Sequence, residues 1–119
     1  MHKVNLAEKF AMFNEQWSPR IVGELNGQYV KLVKLQGEFV WHRHEAEDEL
    51  FLVVKGKLAI HFRDRVEELE EGELLIVPAG VEHKPVATQE VQALLFEPKS
   101  TLNTGNVRNE RTLDKLQSL

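Results

Sequence analysis

Two histidines, His42 and His44, lie one residue apart in the run Phe39–His44, whose β-branched and aromatic side chains predict a strand. Side chains two apart on a strand share a face. Both imidazoles can therefore reach one point in a barrel interior, with Trp41 and Arg43 turned the other way. Glu49 opens the next apolar run and can bring a carboxylate to the same point from a neighbouring strand. His83 follows Pro78-Ala79-Gly80, a tight turn at which a chain reversal can bring in a third imidazole. The chain has no cysteine, so thiolate ligands and disulfides are excluded. Three neutral imidazoles and a carboxylate suit one divalent transition metal ion, drawn from iron, manganese, nickel, copper, cobalt and zinc. Protons compete for the same nitrogen lone pairs, so occupancy should fall on acidification around the histidine reference pKa of about 6.5.

Short strands have to position these residues. The 119 residues are 42% hydrophobic and 29% charged, the composition of one globular domain. Asn5 followed by Glu8 fits a capping box, and Leu6, Phe10 and Phe13 share a helical face, which predicts a short helix over Asn5–Phe13 acting as a lid or edge cover. Ser18-Pro19 ends any helix. Asn26-Gly27, between Arg20–Leu25 and Gln28–Leu35, is a two-residue hairpin signal. Further β-rich runs are Phe39–His44, Glu49–Val54, Leu58–Phe62, Leu74–Val77 and Val91–Phe96, each bounded by Gly, Pro or charged residues. The fold class expected is all-β, a sandwich or barrel with a short N-terminal helix. Residues 1–27 form the helix and hairpin strand, about 28–98 the core, and 99–119 a polar tail whose end, Thr112–Leu119, reads as a weak helix.

Gly37, His42, His44, Glu49 and Gly56 resemble the first cupin motif, and Gly72, Pro78, Gly80 and His83 resemble the second. Two departures stand out. Four residues separate Gly37 from His42 where the family pattern has five, and Ala87 occupies the place of the pattern's final Asn. Neither position is a metal ligand in the family. The resemblance covers about Gln28 to Pro98 and is greatest to small single-domain cupins described as mannose-6-phosphate isomerase-like. It implies a double-stranded β-helix, or jelly-roll barrel, with the metal held by His42, His44, Glu49 and His83. Asp48 competes with Glu49 as the carboxylate, since the motif tolerates a shorter gap. The six residues between Glu49 and Gly56 favour Glu49.

Other residues have quieter readings. Glu45, Glu47 and Asp48 read as a solvated acidic turn, His61 as outward-facing, and His2 as without a role. Trp17, Phe39 and Trp41 read as core or subunit-contact residues. Lys34 is a candidate cation behind the metal site, its direction obscured by a possible bulge at Gly37. Leu50–Val54 and Leu74–Val77 are apolar on both faces, so a partner subunit is expected to cover the outer one, making a homodimer. A net charge of −4 without a basic run disfavours nucleic acid, and the lack of an apolar signal core or membrane-length run makes a cytoplasmic location, away from membranes, the expectation. Four side chains on tetrahedral zinc would close the site, whereas an octahedral ion keeps positions open for a small-molecule ligand. The open site implies a metal-dependent enzyme acting on a small polar metabolite such as a sugar or organic acid, by isomerisation or oxygenation. The alternative is a non-catalytic binding or sensor cupin. Polar groups lining a pocket beside the metal would favour the enzyme, and an apolar pocket without exchangeable water the binder.

Overall fold

In the computed structural model, which describes residues 1–119, Asn5 caps helix α1 (Leu6–Phe10), its side-chain oxygen accepting from the Glu8 amide at 3.0 Å. The helix is shorter than Asn5–Phe13. The chain turns at Ala11 and Met12, which lets Phe13 leave the helical face and pack beside Phe10 on Leu32. Strands β1 (Arg20–Leu25) and β2 (Gln28–Glu38) form the expected hairpin, with Asn26 and Gly27 at φ 49° and 76°, the left-handed pair that a tight two-residue turn requires.

β3 (Glu49–Lys55), β4 (Leu58–His61), β5 (Val66–Leu69), β6 (Leu74–Val77) and β7 (Lys84–Pro98) complete the barrel, and β8 (Gln117–Ser118) adds a parallel edge to β1. The long β7 joins both walls. β2 runs antiparallel along its length, while its other edge pairs with β3 through Gln92–Phe96 and with β4 through Lys84–Val86. The result is an all-β double-stranded β-helix with a short N-terminal helix. Val33, Leu35, Phe51, Val53, Ile60 and Val91 are among the residues that fill its interior.

Three local expectations are corrected. Phe39–His44 is not a strand: after a bulge at Gly37 (φ 87°), the segment crosses the barrel mouth and forms a single isolated β-bridge, His42 with His83. Thr112–Leu119 is not helical, because the free edge of β1 offers backbone partners, and Leu119 N donates to the Ile21 carbonyl at 2.9 Å. β7 begins seven residues before Val91, at Lys84, and β5 arises in a charged run that carries no strand pattern.

Outside the barrel, Phe10, Phe13 and Leu32 form a second cluster against which Val54 and Leu94 pack. The N-terminal segment thus covers part of the outer sheet. Leu74 and Ile76 on β6 remain exposed. α1 is the only helix, and no helix is long and apolar enough to cross a membrane.

Candidate metal centre

Two crossing segments build the site. His42 N donates to the His83 carbonyl at 3.0 Å and His83 N returns a bond to the His42 carbonyl at 2.9 Å, fixing the two motif histidines back to back across the mouth. The Pro78–Gly80 turn is docked beside them, with Gly80 N on the His44 carbonyl at 2.7 Å and Ala79 N on Asp48 Oδ1 at 2.8 Å. Glu49 enters from the first position of β3, on the inward parity it shares with Phe51 and Val53. Although the strand at Phe39–His44 is absent, the segment keeps an extended alternation: His42 and His44 are buried, and Trp41 and Arg43 are half-exposed.

His42, His44, Glu49 and His83 are all buried, and each offers one ligand atom within 4.8 Å of the others. Asp48 is not among them, because its carboxylate is spent on Ala79 N. His42 Nδ1 and His83 Nδ1 each lie 2.9 Å from a carbonyl oxygen, of Val40 and Val81, which fixes the proton on Nδ1 and turns the Nε2 lone pair inward. Glu49 Oε1 lies 3.4 Å from His44 Nε2 and 3.3 Å from His83 Nε2, yet all three atoms are buried without a hydrogen-bond partner. Buried polar atoms left unpaired in one spot are costly. Metal–ligand bonds of about 2.0–2.1 Å place neighbouring donors roughly 3.0–3.4 Å apart, so this spacing is that of atoms sharing one ion. The four residues fit a divalent transition metal.

Electrostatics agree with that donor set. Burial, then the neighbouring His83, lowers the His42 pKa to about 4, well below the reference histidine value expected from sequence, so this ring is a neutral donor at physiological pH. Burial on its own raises both Glu49 and Glu97. For Glu49 it is outweighed by contacts with Glu97, His44 and His83, which hold its carboxyl well below the usual range, whereas burial and then the Glu49 charge push Glu97 well above it.

Glu97 was not singled out from sequence, nor was Lys31. Both are inside the barrel, 2% and 1% exposed, with Lys31 Nζ 2.7 Å from Glu97 Oε1. A narrow cavity adjoins the centre. It has room for about 40 Å³ of water centres, roughly three waters, and broadens to about 420 Å³ of interatomic space with its open mouth included. His42, Glu49, Glu97 and Asn103 are its hydrogen-bonding residues, and its walls include Trp17, Leu35, Phe39, Phe51 and Leu95. Trp17 stacks on Phe39 at 4.7 Å and donates Nε1 to the Gln36 carbonyl at 2.9 Å, so it is a core residue and a cavity wall at once. Trp41 faces outward under the Arg63 guanidinium, 3.8 Å from its ring centre. Lys34 is no neighbour of the centre, because its ammonium donates to the Phe13 carbonyl at 2.6 Å. His61 lies on the outer face of β4 and His2 in the exposed N-terminus.

The tail seals this end. Arg43 N donates to Asn106 Oδ1 at 2.8 Å, Asn106 N donates to the Arg43 carbonyl at 3.0 Å, and Gly105 sits so close that a Cβ there would collide with that carbonyl and press on the His42 ring.

Comparison with known proteins gives a consistent result. The sequence model of the Cupin_2 family, described as a cupin domain, matches residues 29–97. A cupin-2 domain containing protein from Shewanella frigidimarina is 48% identical, with a TM-score of 0.80 over 81% of this chain and 94% of that one. Protein NMB1881 from Neisseria meningitidis is 32% identical, with a TM-score of 0.76 over 82% of this chain and 100% of that one. The uncharacterized protein YdbB of Bacillus subtilis is 38% identical over 64 residues, 53% of this chain, and the match spans only 57% of that protein's length.

Proposed function

This chain belongs to the cupin family, and from that premise we propose that it is a metal-dependent enzyme acting on a small molecule, with one divalent transition metal ion held by His42, His44, Glu49 and His83. The observation carrying this reading is the convergence of four buried ligand atoms, several of them without any other partner. A divalent ion in such a site supplies Lewis acidity towards a carbonyl or hydroxyl oxygen, or an electron. The rest falls to the chain. Val40 and Val81 orient two imidazoles through their carbonyls, the Trp17–Phe39 stack and Leu95 keep bulk water out, and Glu97 presents a second carboxyl opposite Glu49.

That last feature favours catalysis over binding alone. A general acid or base distinct from the ligands is what proton-transfer chemistry needs, and Glu97 lines the cavity next to the metal end. Isomerisation of a hydroxy-carbonyl compound, the reaction suggested by the mannose-6-phosphate isomerase-like resemblance, and oxygenation both fit this arrangement. We further infer a homodimer. Leu74 and Ile76 on β6, with the half-buried Leu50 and Leu52 on β3, form an outer apolar face that a second copy would cover.

Elemental analysis of protein purified without added metal is the direct test. Alanine at His42, His44, Glu49 or His83 should lower metal content, whereas Asp48→Ala and His61→Ala should leave it nearly unchanged. Full stoichiometry and affinity in His83→Ala would refute the ligand set. Oxygen-consumption and isomerisation screens with the native metal restored then separate the two reactions.

A further inference from the structure

Everything that lines the cavity is either apolar or acidic, save His42 and Asn103, and no lysine or arginine reaches into it. The cations nearby are spent elsewhere. Lys31 is fully buried and bound to Glu97 at 2.7 Å, Lys34 is bound to the Phe13 carbonyl, and Arg111 donates to the Glu38 carbonyl at 2.8 Å with its guanidinium 5.3 Å from the Trp17 ring centre and 5.6 Å from that of Phe39. The Asn103 amide is occupied as well, donating to the Arg111 carbonyl and accepting from Leu113 N. An anionic group on the body of a ligand would therefore lose its water and find no partner, at a heavy cost in an apolar enclosure.

The position of Glu97 explains how this arises. Continuing the Leu50–Phe96 pairing by one step sets Glu97 opposite Glu49, on the inward parity of Ala93 and Leu95. Lys31 faces inward from β2 with Val33 and Leu35, and its ammonium meets the cavity only through Glu97, which lines the cavity and holds it at 2.7 Å. Without Glu97, Lys31 would be a free cation there. We propose that Glu97 determines specificity: by engaging Lys31 it leaves the cavity with no free cation, so that the ligand is an uncharged small molecule with an oxygen head and an apolar body, and not a carboxylate or phosphate ester. This rests on the metal reading above and narrows it, turning away from sugar phosphates and organic acids.

A matched pair of metal-binding probes tests it. Butanohydroxamic acid and succinic monohydroxamic acid carry the same chelating head and differ in a terminal methyl against a carboxylate. Cobalt(II) is loaded into the full-length chain and each probe is titrated while the cobalt absorption bands are followed. The methyl probe should bind more tightly by on the order of tenfold or more, as expected for a desolvated, unpaired charge. Glu97→Gln, which leaves Lys31 with no carboxylate to offset its charge, should shrink or reverse that ratio. The double variant Lys31→Met with Glu97→Leu removes the ammonium together with its partner, adds no free cation, and should keep the ratio. Equal binding of the two probes to the native chain, or tighter binding of the acid, would overturn the inference while leaving the metal centre intact. No cobalt bands at all would overturn the metal reading and the inference together.

Discussion

Acid should destabilise the chelated protein through one residue. Burial and the neighbouring His83 lower the His42 pKa from 6.5 to about 4, so the unfolded chain takes up this proton before the folded one does. The sign follows from that order. His42 contributes its full stabilisation above the unfolded pKa, and loses it as pH falls towards the folded one. The gap is worth about 3 kcal/mol at roughly 1.4 kcal/mol per pH unit, and about 2 kcal/mol of it is gone by pH 5. At 2% exposure the ring is shielded from solvent, so no screening discount applies. For a chain of 119 residues, an unfolding entropy near 2.1 cal/mol/K per residue converts that loss to a Tm about 8 °C lower. Glu97 opposes it in part. Its raised pKa means that the folded state takes up this proton before the unfolded one does, which favours the fold as pH falls towards the usual carboxylate range. The readout is therefore the difference between the native chain and His42→Gln, both with EDTA, followed by thermal unfolding between about pH 7.5 and pH 5, a window around the histidine reference value. The native chain should lose several degrees more than the variant. Parallel loss in both would refute the assignment of a buried, neutral His42.

Gly105→Ala should cost about 1–3 kcal/mol in urea unfolding, because Gly105 has φ +57° and its new methyl would collide with the Arg43 carbonyl. The same variant should also bind metal more weakly, since the displaced tail no longer braces His42; unchanged metal affinity would show that the tail and the centre are independent. Light scattering at low micromolar concentration should return twice the chain mass of 13.7 kDa, with Ile76→Lys shifting the population to monomer. A native monomer would remove the homodimer.

What the sequence revealed was whatever depended on short-range geometry. Asn26-Gly27 demanded a left-handed two-residue turn and formed one. His42 and His44 share a face because an extended chain alternates with or without a strand ladder, so the arrangement survived the loss of the strand predicted around it. Glu97 was hidden for the complementary reason. Val91, Ala93 and Leu95 alternate with Gln92, Leu94 and Phe96, and since both sets are largely apolar, the pattern gives no inward parity that would carry Glu97 into the barrel. Lys31 was obscured in the same way, because residues 31–35 are buried on both faces of β2, one by the core and one by Phe10 and Phe13. The tail offered no periodicity at all. Its course is set by distant partners, Asn106 on Arg43 and Leu119 on Ile21, which no local pattern can report.

This division has a functional consequence. His42, His44, Glu49 and His83 all fall within residues 29–97, the span that matches the family, together with Glu97 and Lys31. Trp17, Pro19 and Asn103, which close the cavity, lie outside it. The centre is thus a property of the barrel, while the space beside it is shaped by two terminal segments held in place by a handful of contacts. Segments of that kind can change in length and composition without disturbing the ligands, because they attach to the mouth rather than to the core. Among cupins built on the same barrel, differences in the small molecule accepted should then trace to the chain ends and to the inward residues of the strands that correspond to β2 and β7, with the metal-binding motifs unchanged.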